Sequence, residues 1–334
     1  MPTTADPDAL VTIDDIRAAA ERLRGIAIRT PLVPFGPAPG RFLKAESLQP
    51  IGAFKLRGAY VAVASLTPEA LQRGVITYSS GNHAQGVARA ARLLGAPAVV
   101  VMPSDAPGIK RERVAADGAQ IVIVGNASDE RREVAEAIAA ERGLSIIPPY
   151  DDDRIIAGQG TVGLELVEDL PELAAVLVPI GGGGLASGVA TAVRALRPDA
   201  RVIGVEPELA ADARDSLAAG EIIAWPAELV SRTIADGTRT QALGARTFAH
   251  LREYLDLIVT VTEIEIAAAV RLAAERSRLV VEPSGALGAA ALAFHSAALG
   301  LDRLDGPVVA VVSGGNVDPA SYREYLAAPV PPEA

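Results

Sequence analysis

Residues 174–184 read AAVLVPIGGGG, and a helical pattern, LASGVATAVRAL, follows from Leu185 to Leu196. A short apolar run, four glycines and then a helix form a strand, a bare loop and a helix N-terminus. Gly181, Gly182, Gly183 and Gly184 carry no side chains, so backbone N–H groups can close on an anion that the helix dipole also favours. A plain strand-to-helix turn needs fewer glycines, and four in a row point to a bound phosphate. The loop does not identify which phosphate. Gly181, Gly183 and Ala186 also satisfy a degenerate G-x-G-x-x-A, with Glu206 ending the next strand at about the ribose-binding distance. A nicotinamide-dependent dehydrogenase therefore stays open at this point.

Outward from this loop, GTVGLELVEDL (160–170) reads as helix, RVIGVEP (201–207) as strand and IEIAAAVRLAAERSR (264–278) as helix. GPVVAVVSGGN (306–316) reads as strand and loop. Upstream, helical patterns alternate with β-branched runs from about Leu56: GVITYSS, HAQGVARAARLLG, APAVVVMP, IKRERVAADG, AQIVIVG and SDERREVAEAIAAERG. Strands separated by helices of this length imply βαβ units and parallel sheets, here in two series. Thr12 to Arg24 reads as an amphipathic helix capped by Thr12, with acids in its first turn.

The chain has 334 residues, more than the roughly 250 to 300 at which a single core stops growing, so two lobes and a cleft are expected. It contains no cysteine, which excludes disulfides, thiolate metal sites, iron–sulfur clusters and a cysteine nucleophile. The net charge is −10 and the arginines are scattered among acids, which argues against nucleic-acid binding. No apolar run reaches the ~20 residues of a membrane helix. No charged-then-apolar leader opens MPTTADPDAL. A soluble, cytoplasmic protein is expected. Glycine, 31 residues, exceeds the average usage of about 7%, and the excess is expected in functional turns.

Lys55 lies in GAFKLRGA (52–59), and lysine is the residue that forms Schiff bases with carbonyl cofactors. Ser79, Ser80, Gly81, Asn82 and His83 follow GVITY, and Ser313, Gly314, Gly315 and Asn316 follow PVVAVV. Taken singly, the lysine is a solvated charge and each loop is a turn. Ligands of open parallel sheets bind outside the carboxyl ends of strands, so small-residue loops at three strand ends suggest one shared site. His250 and His295 sit in helical patterns and read as packing or surface residues.

In this order and spacing, residues 52–59, 79–83, 181–184 and 313–316 resemble the fold type II pyridoxal-phosphate enzymes, in the serine/threonine dehydratase and serine racemase branch. The resemblance runs from about Thr12 to Tyr325. It implies a tryptophan synthase beta-like α/β fold of two open, mainly parallel-sheet domains with the cofactor in the cleft between them. Residues 54–143 would form a small domain inserted into a large one made of 1–53 and 144–334.

The family also implies roles for particular residues. Lys55 would hold pyridoxal 5'-phosphate, Phe54 would pack on its ring, and Gly237 would lie on the opposite face. Gly181 to Gly184 with Leu185 would cradle the phosphate; Asn82 would bond the ring hydroxyl, and Ser313 with Gly314 would meet the pyridine nitrogen. Glu282 would lie near the ring. Ser79, Ser80, Gly81, Asn82 and His83 would receive the substrate, with Lys55 and Ser80 as catalytic groups facing Cα from opposite sides. A neutral hydroxyl at Ser313 does not enforce a protonated pyridine, which suits β-elimination. Glu206, Ala210 and Asp212 match a cation loop for Mg²⁺, or Ca²⁺ or Mn²⁺, with a structural role and the oxygen ligands that hard cations take.

The activity implied is dehydration of L-threonine or L-serine to a 2-oxo acid and ammonia, by a homodimer or higher homo-oligomer. Serine racemisation and 3-hydroxyaspartate dehydration are alternatives, with Arg131 and Arg132 as candidates for a second carboxylate. A binding protein that holds the cofactor without turnover is the non-catalytic alternative. The chain departs from the family pattern at Ala53, where serine is usual, at Ala84, where glycine is common, and at Pro148, where histidine is usual. No regulatory domain is expected after Asn316.

Overall fold

A computed structural model describes residues 9–36, 38–79, 81–104, 108–125 and 128–332. Its strands are β1 (Leu32–Pro34), β2 (Arg41–Ala45), β3 (Val75–Tyr78), β4 (Ala98–Pro103), β5 (Gln120–Val124), β6 (Ser145–Ile146), β7 (Ala175–Pro179), β8 (Arg201–Pro207), β9 (Leu257–Val261) and β10 (Val308–Val312). They form two sheets, of order β1-β2-β10-β7-β8-β9 and β5-β4-β3-β6. Every pairing is parallel except β1 with β2. The protein is thus an α/β molecule with mainly parallel sheets. Strands β7 and β10 are buried at every residue, because helices cover both faces of a parallel sheet, and so they read as unbroken apolar runs. The chain leaves the larger sheet after β2 and returns at β7. The expected boundary at residue 143 stops short of β6, which pairs with β3 in the smaller sheet.

Thr12 caps the helix Ile13–Arg22 in a reciprocal arrangement with Asp15. The helix read from Gly160 starts earlier, at Asp153, capped by the Asp152 side chain, and runs to Asp169. Gly158 and Gly160 disguised its first turns, since glycine disfavours helix in isolation. The helix Pro283–Phe294 had no signal in the sequence reading: all of its residues are buried, so no polar face marks its period. Among the described residues, no helix is long and apolar enough to cross a membrane.

Glycines let three helices approach closely. A Cβ on Gly158 would stand 2.6 Å from Gly58 Cα, in the helix Lys55–Ala64. One on Gly188, in the helix Gly184–Leu196, would stand 2.7 Å from Gly160 Cα, and one on Gly163 would stand 2.8 Å from Val189 O. Lys55–Ala64 and Gly184–Leu196 are therefore docked on one helix, Asp153–Asp169. A buried ionic cluster fixes the first of these: Arg57 bonds Glu46 at 2.8 Å and Glu165 at 2.6 Å, and Lys44 bonds Glu165 at 2.6 Å.

Adding one methyl at Gly188 overpacks backbone against backbone, so Gly188→Ala is expected to destabilise the fold by about 1–3 kcal/mol or more. Gly108→Ala, where a Cβ meets nothing within 4 Å, should stay within about 0.5 kcal/mol. Urea unfolding midpoints of the two variants check the difference.

Candidate functional site

Lys55 opens its helix directly after a segment pinned to the end of β10. Phe54 N–H donates to Ser313 O at 3.0 Å, and Gly315 N–H donates to Gly52 O at 2.9 Å. Ala53 bridges Gly314 in the same antiparallel step. Gly52 adopts φ +74°, and a side chain there would also collide with Asn316. The Lys55 ammonium donates to Pro149 O at 2.6 Å and stands 5.2 Å from the centre of the Phe54 ring. Burial lowers its pKa to about 8, so a neutral, nucleophilic amine is accessible near neutral pH.

The tetraglycine loop follows β7 through Ile180. Gly183 is the N-cap of Gly184–Leu196 at φ +92° and offers no side-chain cap, so the first-turn N–H groups point into the loop. Side chains are sterically barred from it. A Cβ on Gly182 would collide with the Tyr150 ring, one on Gly183 would lie 2.9 Å from Thr247 Cβ, and one on Gly181 would lie 3.1 Å from Thr238 Cα. An uncapped helix terminus behind bare backbone fits a phosphate. Gly237, in the turn Asp236–Thr238, donates its N–H to Ser284 Oγ at 2.7 Å. Together with the buried lysine, the cradle has the donor set that pyridoxal phosphate requires.

Asn82, the first residue of the helix Asn82–Leu94, joins this site to the smaller sheet. Its Nδ2 donates to Glu282 Oε1 at 2.6 Å and its Oδ1 accepts from Asn316 Nδ2 at 2.8 Å. One Nδ2 hydrogen of Asn82 remains for a ligand. Burial, then the charge of Asp236, pushes Glu282 up to about 7 against the pull of Lys110 and Asn82. Ser313 Oγ lies 3.4 Å from Ser284 O, a long contact that leaves the hydroxyl free to turn.

His83 is buried, and its Nε2 donates to Ile147 O at 3.0 Å. That carbonyl accepts only, so Nδ1 carries the lone pair, and it has no partner among the described residues. Burial and the nearby charge of Lys55 lower its pKa to about 3. His83 is therefore a neutral acceptor, suited to a hydroxyl more than to a carboxylate. Ser79 Oγ accepts from Gly81 N–H at 3.3 Å, and Gly81 caps Asn82–Leu94 without a side-chain bond. Ser80 lies outside the described residues.

Glu206 ends β8 and accepts from the N–H groups of Ala213 at 3.0 Å and Arg214 at 2.8 Å. Both of its oxygens thus face the helix Asp212–Ala219, away from a ribose role beside the glycine loop. Asp212 is buried with both carboxylate oxygens unpartnered among the described residues. Burial raises Asp212 to about 7, and burial together with Asp212 holds Glu206 well above the usual carboxylate range. No set of three His, Cys, Asp or Glu side chains among the described residues could hold a metal. Ala210 is buried, and its N–H donates to Pro207 O at 3.0 Å.

Sequence reasoning missed Tyr150, which walls the glycine loop, and the pair formed by Lys110 with Asp236. Tyr150, two residues after Pro148, and Lys110, within the helical pattern IKRERVAADG, were given no role. Of the two arginine candidates, Arg132 lowers the pKa of Tyr78 and Tyr150 by its charge, against the larger effect of burial.

Residues 23–314 match the family of pyridoxal-phosphate dependent enzymes. The chain is 42% identical over 321 residues to the L-threo-3-hydroxyaspartate ammonia-lyase of Saccharomyces cerevisiae, covering 94% of this chain and 96% of that one. It is 42% identical over 319 residues to the L-threonine ammonia-lyase of Thermotoga maritima, covering 92% of this chain and 76% of the relative. The solved structure of maize serine racemase superposes with a TM-score of 0.89 at 38% identity, covering 96% of this chain and 98% of that one. The architecture is that of fold type II pyridoxal-phosphate enzymes.

The His83 environment sets a pH dependence. A group whose pKa falls on folding, from about 6.5 in the open chain to about 3 here, contributes stability that is complete above the open-chain value. That contribution is lost as the pH falls from about 6.5 toward about 3. Cofactor-free His83→Gln should lack this part of the acid destabilisation, so its stability should converge on that of the wild type at low pH. Urea midpoints taken across the range check it; parallel curves contradict it.

Proposed function

We propose, since this chain belongs to the pyridoxal-phosphate-dependent enzyme family, that it is an ammonia-lyase acting on a small β-hydroxy amino acid, L-threonine or L-serine. The supporting observation is the Lys55 amine, buried, shifted to a pKa of about 8, and set beside the Phe54 ring. Pyridoxal phosphate, when bound, supplies a carbonyl for that amine and a sink for the electrons left on Cα.

In this reading the N–H groups of Gly181 to Leu185 hold the phosphate, while Phe54 and Gly237 flank the ring. Asn82 donates its remaining hydrogen to the ring hydroxyl, Ser313 with Gly314 meets the ring nitrogen, and Glu282 stays beside Asn82. Ser79, Ser80, Gly81, Asn82 and His83 receive the amino acid, whose carboxylate suits the uncapped N-terminus of Asn82–Leu94. Lys55, freed by substrate, takes the Cα proton as general base. The electrons left at Cα form the Cα–Cβ double bond and expel the β-hydroxyl, which leaves as water with the proton that Lys55 took from Cα. The remaining enamine is hydrolysed to a 2-oxo acid and ammonia. Ser80 would face Cα from the other side, which is the geometry racemisation needs.

One observation favours 3-hydroxyaspartate as a second reading: the chain is 42% identical to the L-threo-3-hydroxyaspartate ammonia-lyase of Saccharomyces cerevisiae. For the cation, Glu206, Asp212 and the Ala210 carbonyl would bind Mg²⁺, or Ca²⁺ or Mn²⁺, away from the reacting atoms. The two unpartnered Asp212 oxygens support that assignment.

The visible spectrum of the purified protein with pyridoxal phosphate, compared with Lys55→Ala, tests the central reading. Wild type should take up colour and release 2-oxo acid from threonine or serine; the variant should lose turnover by ~10³-fold or more. A wild type that does not take up the cofactor overturns the proposal, and colour without turnover on any amino acid leaves a binding protein. A panel including 3-hydroxyaspartate and D-serine formation separates the alternatives. Chelation should lower the melting temperature and Mg²⁺ should restore it; an unchanged value returns Glu206 and Asp212 to a purely structural pair.

A further inference from the structure

The helix Gly108–Ala116, which follows β4 in the smaller sheet, presents two basic side chains across the cleft, one helical turn apart. Lys110 Nζ bonds Asp236 Oδ2 at 2.6 Å, and Arg113 bonds Asn316 Oδ1. The Lys110 side chain is only 11% exposed while that of Asp236 is 40% exposed, so an enclosed ammonium meets a carboxylate at the cleft mouth. Lys110 Nζ is also 4.0 Å from where a Cβ would stand on Gly81, which puts it against the loop that leads into Asn82–Leu94. Asp236 immediately precedes Gly237, whose N–H is anchored on Ser284. One ion pair thus ties the helix Gly108–Ala116, which packs on Asn82–Leu94 beside Gly81, to the turn Asp236–Thr238. A pair this accessible adds little to folding stability.

We propose that Lys110 and Asp236 are a positioning pair that holds Gly81 and the start of the helix Asn82–Leu94 at a set distance from the Asp236–Thr238 turn, and so places an amino-acid substrate between that helix terminus and Lys55. The proposal rests on the reading of residues 79–83 as the substrate's carboxylate loop. It differs in sign from a simpler role for Lys110 as a charge that attracts the carboxylate. Asp236 neutralises the ammonium, so if attraction were the function, removing Asp236 would free the charge and tighten substrate binding. A positioning pair predicts the opposite.

Lys110→Met, Asp236→Asn and the double variant should each raise KM for threonine or serine by ~10-fold, as expected for misplacing a substrate by a fraction of an ångström. The loss in the double variant should equal that in the singles and not their product, because the two residues act through one bond. Lys110→Arg should reverse most of the loss, and KM should rise with salt in the wild type and in Lys110→Arg but not in the other variants. A lower KM in Asp236→Asn, or multiplicative losses in the double variant, overturns the proposal. Hydrogen exchange on the cofactor-free protein provides a readout that needs no turnover. Peptides covering 81–94 and 234–240 should exchange faster, and to the same degree, in both single variants and the double; unchanged exchange also overturns the proposal. A wild type that turns over no amino acid refutes the lyase reading, while exchange still decides whether the pair holds the loops.

Discussion

Gly58, Gly158, Gly160 and Gly188 bring three helices almost into backbone contact, and the site inherits its geometry from that contact. The helix Lys55–Ala64 carries the Lys55 amine at its head, and Gly184–Leu196 carries the glycine loop proposed as the phosphate cradle at its head. Both cross the same helix, Asp153–Asp169, so amine and cradle are set at a distance that packed cores do not let vary continuously. Arg57, two residues after Lys55, is held by Glu46 and Glu165, which restrains rotation of the lysine's helix. Desolvating such a cluster is costly, and an apolar replacement could stabilise the fold as well. What the ionic version adds is direction, because guanidinium bonds to two carboxylates fix orientation as well as depth.

The electrostatics of the cleft follow from burial. Lys55 is pushed down to about 8, His83 down to about 3, and Glu282 up to about 7, each toward its neutral form. In the proposed reading, anions meet backbone N–H groups at two helix termini without side-chain caps, before Gly184 and before Asn82, which retain their polarity without titrating. The glycine content serves this purpose only in part. Gly181 to Gly184 line the proposed cradle, but Gly58, Gly158, Gly160, Gly163 and Gly188 serve helix packing, a use that the expectation of glycines in functional turns left out.

Local chemistry was legible where it repeats at a recognisable period or sits at a strand end. Thr12 with Asp15, the runs that became β3, β4, β5, β7, β8 and β10, and the small-residue loops after three of those strands could all be read directly. Pro283–Phe294 could not, because a helix buried on every side has no alternation to detect. The first turns of Asp153–Asp169 were hidden by the glycines that make it useful. Lys110 and Asp236 are 126 residues apart, and nothing local to either chain segment announces the other. Pairings of that kind come from how the lobes face each other, which periodicity does not encode.

The dehydrogenase alternative shows where spacing runs out. Strand β8 lies beside β7, so an acid at its end stands next to the glycine loop, as a ribose-binding acid would. Topology and spacing are therefore the same for both readings. Hydrogen bonds separate them: Glu206 gives both oxygens to the N–H groups of Ala213 and Arg214, and a carboxylate so engaged has turned from the loop to a helix terminus. Strand β10, on the other side of β7, brings Ser313 and the Phe54–Lys55 step to the loop instead. The Lys55 step thus lies on the side of the glycine loop opposite to the one a dinucleotide would need.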